Sequence, residues 1–553
     1  MKKQMVLITI MVCAVFLSTY SQDWIWAKSV GGSGIDVSSY SNSINKSTGD
    51  LYITGQLGGS AVIFENDTLN TVGNTDIFYG KYDANGNKLW AKRAGGALGG
   101  TWYDGDNESG QAIFYDSITN AVYLTGMFNG TMTLGTFTLT SVQRDIFIAK
   151  LDIDGNVIWA KKAGGSAQDY PNALCLDNLG NVYVVGSISS TNAMFDTFSV
   201  GKGGFFAKYD NNGNCVWAKK ISEMGQFSVE DYSIRSINYF NNKLFLTGAK
   251  QKITATLDTI SVTDSLGYSV VSCFNLSGNI LWVKIYGGWV NSSGIDNDGN
   301  IYITGEYSDS ARFDNILLTK TLNTNYNDVY IAKIDSMDNC VWAHNLNVSF
   351  SAFAYDLSSD GIGNVYISGN WVGTANFGNF TVSSQTGNDM FVARYDSSGT
   401  CLGVRNFGEA WGYSVVNDNT GSCIVTGVYK NTVNIGTTVL TAHGTSYPDI
   451  FIAKHSIFTG IVDEKRMAVS TNNLIIYANP NTGKCTITIP SEFKTETKLT
   501  LQIFDNTGHL LQQTPVEMLQ DKVSVNITAE AKGVYTAVLS NGKKSYTGKI
   551  IFE

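Results

Sequence analysis

The sequence is poor in the residues that usually build catalytic and metal sites. It contains only 4 His and 5 Pro among its 553 residues. No zinc-binding spacing, nucleophile elbow or phosphate-binding loop occurs. We therefore predict no metal site, no cofactor and no assigned catalytic residue, although carboxylates that the fold brings together could still carry acid–base chemistry.

Basic clusters and long apolar runs are also scarce. The formal net charge is −9 and no run of Lys or Arg exists, which argues against binding to nucleic acid or anionic lipid. A single apolar run, Val6–Leu17, follows Lys2 and Lys3 and precedes the small-x-small pattern Thr19-Tyr20-Ser21. It is too short to cross a bilayer, so residues 1–21 are predicted to be an export signal and the mature chain is predicted not to span a membrane.

Cysteine is too sparse and too regularly placed for a disulfide framework. Cys215, Cys340 and Cys401 occupy one position in a repeated pattern, so they should lie far apart and cannot pair with one another. We expect most cysteines to be buried apolar residues. A bridge between Cys401 and Cys423, within one repeat, stays open because export permits disulfides.

What the sequence does contain is a repeated unit with a period of about 60 residues. Its clearest copy, Asp145–Gly165, predicts two short strands joined by a turn in which Gly155 can adopt φ > 0. The second strand carries a marker residue: Trp26, Trp90, Trp159, Trp217, Trp282 and Trp342, with Leu402 in the last copy. An earlier strand ends in a small residue and Gly: Thr54-Gly55, Thr125-Gly126, Val185-Gly186, Thr247-Gly248, Thr304-Gly305, Ser368-Gly369 and Thr426-Gly427.

Each unit therefore predicts four strands, which we name a, b, c and d in chain order. The chain begins with an unpaired d strand, Trp24–Lys28, and ends the repeats with an unpaired c strand, Ile450–Lys454. Pairing these two would complete a seventh unit and remove both free edges, as a closed propeller requires. An open solenoid would need polar capping repeats, which are absent. The predicted fold is all-β: a seven-bladed β-propeller over residues 22–455, followed by a small β-sandwich.

The repeats resemble the SBBP-type β-propeller repeats of exported bacterial proteins. The resemblance rests on W-A-K-x-x-G-G (Trp90–Gly96, Trp159–Gly165), G-N-x-Y-x-T-G (Gly299–Gly305) and D-I-F-x-A-K (Asp145–Lys150, Asp449–Lys454). It covers about four-fifths of the chain and implies a propeller scaffold. The fourth copy is weak because its c strand, Val270–Phe274, lacks both Asp and Lys.

The period breaks after a predicted linker at residues 456–472. Residues 473–553 alternate apolar and polar residues in short runs, a pattern typical of a small β-sandwich. The runs are Leu474–Tyr477, Thr486–Ile489, Leu499–Phe504, Val523–Ile527, Val534–Leu539 and Gly548–Phe552.

This C-terminal region resembles the sorting domain of proteins exported by the bacterial type IX secretion system. The matching residues are Asn479, Pro480, Gly483, Gly508, Gly533, Tyr535 and Lys549. The family usually has Pro where this chain has Ala478. The resemblance implies that the secretion machinery is a partner, that the domain is typically removed, and that the cargo is secreted or attached to the outer cell surface after passing through the periplasm.

Two repeated polar features have structural interpretations. The turns between strands carry Asp, and Asp152/Asp154 and Asp296/Asp298 resemble the start of a calcium loop. Other copies have one carboxylate, so side-chain-stabilised turns are the favoured interpretation. The Lys that closes many c and d strands is expected to be a solvated residue that discourages edge pairing.

The best lead to a ligand is a set of tryptophans outside the repeat marker. Trp102, Trp289 and Trp411 are predicted in connections from d to a strands, and Trp371 follows a b strand, so all four map to one mouth of the ring. Tyr103 and Asp104 stand in the same connection as Trp102. Exposed aromatics beside carboxylates suit contact with carbohydrate or peptide, although these rings could instead plug the tops of the blades.

The predicted function is a binding or adhesion module for glycan or protein. One alternative is a hydrolase or lyase that acts on polysaccharide through carboxylates in the channel. Another is a structural component of the cell envelope.

Overall fold

The chain folds as strands throughout the part that the structure describes. The computed structural model describes residues 24–32, 38–59, 61–96, 108–223, 232–250, 254–257, 260–263, 268–320, 326–384, 387–444, 447–456, 474–490, 493, 499–505, 510–516, 522–527, 532–541 and 545–552. Every named element in these ranges is a β-strand, and none of their segments is a helix with the length and hydropathy of a membrane span. The predicted signal and residues 457–472 of the predicted linker lie outside them. Contacts divide the chain into two units, Met1–Gly460 and Ile461–Glu553.

The first unit contains, within the described ranges, seven antiparallel sheets built on one four-stranded plan. The a strands are Ser38–Ile44, Ser109–Asp116, Asp169–Leu176, Tyr232–Phe240, Trp289–Ile295, Ser351–Ser359 and Ala410–Asn417. The b strands are Leu51–Gly58, Ala121–Phe128, Val182–Ile188, Lys243–Lys250, Ile301–Tyr307, Val365–Val372 and Cys423–Tyr429. The c strands are Thr75–Tyr82, Asp145–Leu151, Gly203–Tyr209, Ser269–Asn275, Asp328–Ile334, Asp389–Tyr395 and Asp449–His455. The d strands are Lys88–Ala94, Val157–Gly164, Cys215–Glu223, Ile280–Tyr286, Cys340–Asn345, Cys401–Gly408 and, for the seventh sheet, Trp24–Gly31.

The ring closes as the sequence predicts. The first strand, Trp24–Gly31, pairs with the last c strand, Asp449–His455, in a register that sets Ala27 opposite Ala453. Each a strand also contacts the a strands of both neighbouring sheets, and the a strand of the first sheet contacts that of the seventh. The chain ends of this unit are therefore joined by a hydrogen-bonded ladder, which removes two free edges.

A short hairpin between strands b and c was not predicted. Its strands are Val62–Phe64 and Asp67–Leu69, Thr131–Leu134 and Phe137–Thr140, Ala193–Phe195 and Phe198–Val200, Thr254–Leu257 and Ile260–Thr263, Ser310–Phe313 and Ile316–Thr319, Thr374–Phe377 and Phe380–Ser383, and Thr432–Ile435 and Thr438–Thr441. In several sheets the hairpin pairs with the end of the preceding d strand, as where Ala163 lies opposite Phe195. The hairpins thereby link neighbouring sheets at the perimeter.

The marker tryptophans also join neighbouring sheets. The Trp90 indole nitrogen donates a hydrogen bond to the Ile153 carbonyl of the next sheet, at 3.1 Å. Gly155 lies under the same ring with φ +74°, and a Cβ there would come within 2.8 Å of Trp90. Trp26, Trp159 and Trp342 form the equivalent hydrogen bonds. The Trp and the turn glycine of successive repeats therefore form one contact.

The prediction of solvated edge lysines is wrong for c-strand members such as Lys81 and Lys150, which are buried. The Lys81 ammonium lies 2.9 Å from Asp50 and 5.4 Å from the centre of the Tyr52 ring. Lys92, on a d strand, donates to Asn156 in the turn of the next sheet at 3.0 Å. These side chains hold turns in place because each ammonium has a fixed acceptor or aromatic face.

The Asp turns are stabilised by their own side chains. One carboxylate oxygen of Asp152 accepts the backbone N–H groups of Asp154 and Asn156, at 3.0 and 2.8 Å, and the other accepts Asn156 Nδ2. Slight burial acts in the opposite direction, but these hydrogen bonds hold the pKa of Asp152 below its usual value. In the described ranges no group of three or more His, Cys, Asp or Glu side chains is placed to hold a metal ion.

All seven cysteines of the described residues are free thiols. Cys401 and Cys423 are both buried, but they belong to different packing clusters. The bridge that the sequence left open between them is therefore not formed, and both act as apolar core residues.

The second unit is a small β-sandwich, as predicted. One sheet contains Ile475–Tyr477, Lys484–Thr488 and Lys522–Asn526, and the other contains Leu510–Val516, Leu499–Phe504, Gly533–Ser540 and Ser545–Phe552. Both sheets contribute to one buried cluster that includes Ile487 and Ile503. The strand Leu510–Val516 was not predicted.

Candidate channel-mouth binding site

The seven a strands surround a central cavity of about 590 Å³. All seven sheets contribute lining residues to it, including Tyr40, Gln111, Asn172, Arg235, Asn291, Tyr355 and Tyr413. These seven residues hold equivalent positions, because each is the unpaired residue of a β-bulge near the start of its a strand. We call them the bulge ring. A bulge aims an extra side chain away from the ladder, and here the extra side chains line the cavity.

The small-Gly marker of the b strands is the counterpart of these bulges. A Cβ on Gly427 would lie 1.9 Å from the Trp411 carbonyl oxygen, and one on Gly305 would lie 1.8 Å from the Trp289 carbonyl oxygen. The bulge presses an a-strand carbonyl against the b strand, so only glycine fits. The sequence marker thus records the geometry that creates the bulge ring.

One arc of the mouth is aromatic. Phe353 and Tyr355 of the sixth sheet stack with ring centres 6.3 Å apart, and Tyr355 meets Tyr413 of the seventh sheet edge-on at 5.0 Å. Tyr40 continues the arc into the first sheet, where its hydroxyl donates to Gln56. Phe353 and Tyr40 are 37% and 38% exposed, so this arc offers a ligand aromatic faces together with hydroxyl groups.

The opposite arc of the bulge ring is polar. It consists of Gln111, Asn172, Arg235 and Asn291. Asn172 Nδ2 donates to the Ile234 carbonyl of the next sheet at 2.6 Å, and Asn291 Nδ2 donates to the Ala354 carbonyl at 2.9 Å. These side-chain-to-backbone bonds hold neighbouring a strands together, so the polar arc is fixed before any ligand arrives.

Two carboxyl groups lie beside the ring. Asp356 lines the cavity, and its oxygens accept Ser292 Oγ at 2.8 Å, Ser414 Oγ at 2.9 Å and the Leu357 and Val415 N–H groups. It thereby ties together the a strands of the fifth, sixth and seventh sheets. Its burial raises the pKa of Asp356, against the effect of those hydrogen bonds.

Glu306 is the second carboxyl group. It is buried on a b strand and accepts a 2.7 Å hydrogen bond from Asn291 Nδ2. Burial raises the pKa of Glu306 to about 8, while that hydrogen bond and the charge of Arg235 act in the opposite direction. The group therefore retains its proton through neutral pH.

The predicted tryptophans are only partly brought together. Trp289 and Trp411 lie within a strands, not in connections, and both stand two residues before a bulge-ring residue. Trp289 stacks on Tyr268 at 4.9 Å, and the Lys430 ammonium lies 5.8 Å from the Trp411 ring. Trp102, Tyr103 and Asp104 lie outside the described residues.

The structure corrects the prediction that Trp371 lies at the mouth as a ligand-binding residue. It is completely buried within its b strand, where it packs edge-on against Phe377 and Phe391 and donates its indole N–H to the Gly373 carbonyl. Its side chain belongs to the core between sheets, so it offers no surface to a ligand.

The predicted sorting residues have structural contacts in the sandwich. Asn479 Nδ2 donates to the Lys549 carbonyl, and Asn479 Oδ1 accepts the Ile551 N–H, both at 2.7 Å. Tyr535 is buried in the cluster. Gly483 has φ +90° and its carbonyl accepts the Ile527 N–H.

The remaining sorting residues are less constrained by contacts. Pro480 follows Asn479 directly, and Gly533 opens the exposed end of a strand with no atom within 4 Å of a built Cβ. Gly508 lies outside the described residues.

Comparisons with known proteins agree with this architecture. Residues 475–553 match the family model for a secretion system C-terminal sorting domain, and residues 158–192 match the family model for a β-propeller repeat. An uncharacterized WD repeat-containing protein of Acanthamoeba polyphaga mimivirus, L264, is 27% identical over 201 residues, which are 35% of this chain and 13% of that protein. This chain thus aligns with about an eighth of that relative's length.

Solved structures give weaker similarities. Drosophila Semaphorin 2a aligns with a TM-score of 0.38 and 8% identity over 95% of this chain and 97% of its own. A Synechocystis apocarotenoid oxygenase mutant aligns with a TM-score of 0.35 and 11% identity over 79% of this chain and 97% of its own. Both TM-scores are below 0.5, so neither alignment establishes a close structural relationship. From the family matches and the strand topology together, the chain is a secreted or cell-surface β-propeller repeat protein with a type IX secretion system C-terminal sorting domain.

Proposed function

We propose that the propeller is a binding or adhesion module whose ligand, a glycan or a protein segment, docks at the mouth formed by the bulge ring. The observation that carries the proposal is the aromatic arc of Phe353, Tyr355, Tyr413 and Tyr40 on three neighbouring sheets. It faces a fixed polar arc across a cavity. An apolar surface opposite hydrogen-bonding groups is the usual composition of a small-ligand site.

Of the tryptophans predicted to bind the ligand, the proposal keeps Trp289 and Trp411. Trp289 and Trp411 extend the mouth outward, whereas the tyrosines of the bulge ring line the cavity itself. Tyrosine adds a hydroxyl to each apolar face, which suits a ligand that presents both C–H and O–H groups.

The test is a glycan and peptide array probed with the full chain and with a Tyr355→Ala/Tyr413→Ala variant. Binding by the wild type and loss of at least about tenfold in affinity in the variant are expected, since aromatic hot spots typically contribute that much or more. Ile362→Ala is the matched control, because Ile362 is 78% exposed in an a–b turn at the other mouth. Binding that survives the double change would contradict the proposal.

A second candidate function has one specific observation in its favour. Consecutive residues Asn291 and Ser292 contact Glu306 and Asp356, which places two carboxyl groups near the same part of the ring. Two carboxyl groups at one part of a cleft are the arrangement used in glycoside hydrolysis. Turnover of a bound polysaccharide that disappears in Glu306→Gln, with binding retained, would support a hydrolase or lyase; binding without turnover would oppose it.

A further inference from the structure

Arg235 is the one bulge-ring member with a charged side chain. It is exposed, and it forms no hydrogen bond or ion pair with the described residues around it. The other members are tyrosines and amides. A single guanidinium among neutral groups therefore marks one side of the mouth.

The backbone that carries Arg235 is held from both sides. Asn172 Nδ2 of the third sheet donates to the carbonyl of Ile234, and Ser236 Oγ donates to the Ser293 carbonyl of the fifth sheet at 3.4 Å. Arg235 itself is the unpaired residue between them. The guanidinium thus projects from a fixed position and not from a mobile loop.

Glu306, the buried acid whose pKa the charge of Arg235 lowers, does not cancel that charge at neutral pH. Glu306 is buried, accepts Asn291 Nδ2, and keeps its proton because burial raises its pKa to about 8. Asp356 is a carboxyl group whose oxygens already accept four hydrogen bonds.

We infer that the ligand of this mouth is an anionic saccharide, whose carboxylate or sulfate group pairs with Arg235 while its sugar rings lie against the aromatic arc. This deepens the proposed function and rests on it. The planar guanidinium matches the two oxygens of such a group. The amides of Gln111, Asn172 and Asn291 suit hydroxyl groups on the same sugar.

An acidic peptide fits the site less well. A bound peptide gains much of its affinity from main-chain hydrogen bonds to an exposed strand edge. Here the a strands are paired with b strands, and carbonyls at the ring such as those of Ile234 and Ala354 are already occupied by Asn side chains. The mouth offers side-chain groups and aromatic faces, which are the elements of sugar recognition.

The test uses matched pairs of probes: oligogalacturonate with its methyl ester, and sulfated with desulfated galactan oligosaccharides, with poly-glutamate as the peptide probe. Affinities are measured by calorimetry for the full chain, for Arg235→Gln and for Lys430→Gln. Lys430 is the control because it is a cation at the same mouth, beside Trp411 and outside the ring.

We expect the wild type to prefer an anionic member of a pair by at least about tenfold, and Arg235→Gln to lose about 10- to 100-fold for that member while the neutral member is unchanged. Lys430→Gln should change affinity by less than about twofold. The inference is wrong if both members of a pair bind equally, if both variants lose affinity equally, or if poly-glutamate is preferred. In each of these cases the proposal of a binding module still stands. If none of the saccharides binds, both this inference and the proposal that the ligand is a glycan are wrong.

Discussion

Replacing Gly427 by Ala should destabilise the propeller and disturb the bulge at Tyr413. The new Cβ would lie 1.9 Å from the Trp411 carbonyl oxygen and 2.9 Å from a ring carbon of Phe451. Because the closest contact is with backbone, no side-chain rotation can relieve it. Overpacking costs about 1–3 kcal/mol and occasionally more, and a displaced ladder hydrogen bond costs about 0.5–1.5 kcal/mol, so we expect a loss of about 2–4 kcal/mol.

The measurement is the shift of the denaturant midpoint of the full chain, followed by fluorescence. Gly201→Ala is the matched control, because a Cβ on Gly201 has no atom within 4 Å. That substitution should be neutral or stabilise by up to about 1 kcal/mol through the unfolded chain. If Gly427→Ala is as stable as Gly201→Ala, the explanation of the repeated small-Gly marker is wrong.

Four further predictions follow from other contacts. Gly155→Ala should lower the free energy of unfolding by about 2–4 kcal/mol, because it places a Cβ 2.8 Å from Trp90 at φ +74°. The loss should be smaller in a Trp90→Ala background, and an unchanged loss would refute the contact. Ala27→Pro, in the closing ladder opposite Ala453, should cost about 3 kcal/mol or more, and an unaltered melting temperature would contradict ring closure. Burial and the neighbouring Asp76 raise the pKa of Glu108 to about 9. The stability that protonated Glu108 contributes is therefore complete below the pKa of this group in the unfolded chain and is lost as pH rises toward 9. Glu108→Gln should make the melting temperature depend less on pH between pH 5 and 9, and an equally steep dependence would oppose this. Asn479→Ala removes two hydrogen bonds of 2.7 Å and should destabilise the sandwich by about 1–3 kcal/mol, read as the amide exchange rate of its strands; unchanged exchange would count against it.

Much of the fold could be predicted because its periodic signals have a single geometric cause each. Trp90 and Gly155 recur together since the ring of one sheet packs on the turn of the next. Each of the two unpaired strands at the ends of the repeats could find a hydrogen-bonding partner only in the other. The alternation of residues 473–553 predicted a sandwich for the same reason, that one face of each strand is buried.

Short or polar strands escaped prediction. The perimeter hairpins have strands of only three or four residues, such as Ala193–Phe195, which fall below the length at which alternation is informative. Leu510–Val516 contains Gln512, Gln513 and Pro515 and has an exposed side, so its pattern does not suggest a strand. The hairpin could have been found from the recurrence of an aromatic or aliphatic residue before a tight turn in every repeat.

The proposed site shares only some of its residues with the site predicted from the sequence. Trp371 stands two residues after Gly369, and the b strand continues past that glycine, so strand alternation turns the indole into the core. The bulge-ring residues were missed because one sequence does not show which residue of an a strand is unpaired. The small-Gly marker was the available signal, since its close contact with the a-strand carbonyl requires a bulge opposite it.

The most direct test of the account is hydroxyl-radical footprinting of the full chain with and without the tightest-binding member of the array. The account predicts protection of the peptides that carry Tyr40, Phe353, Tyr355 and Tyr413, with Ile362 at the other mouth unprotected. Protection of the other mouth or of the perimeter hairpins, with the aromatic arc unchanged, would contradict it.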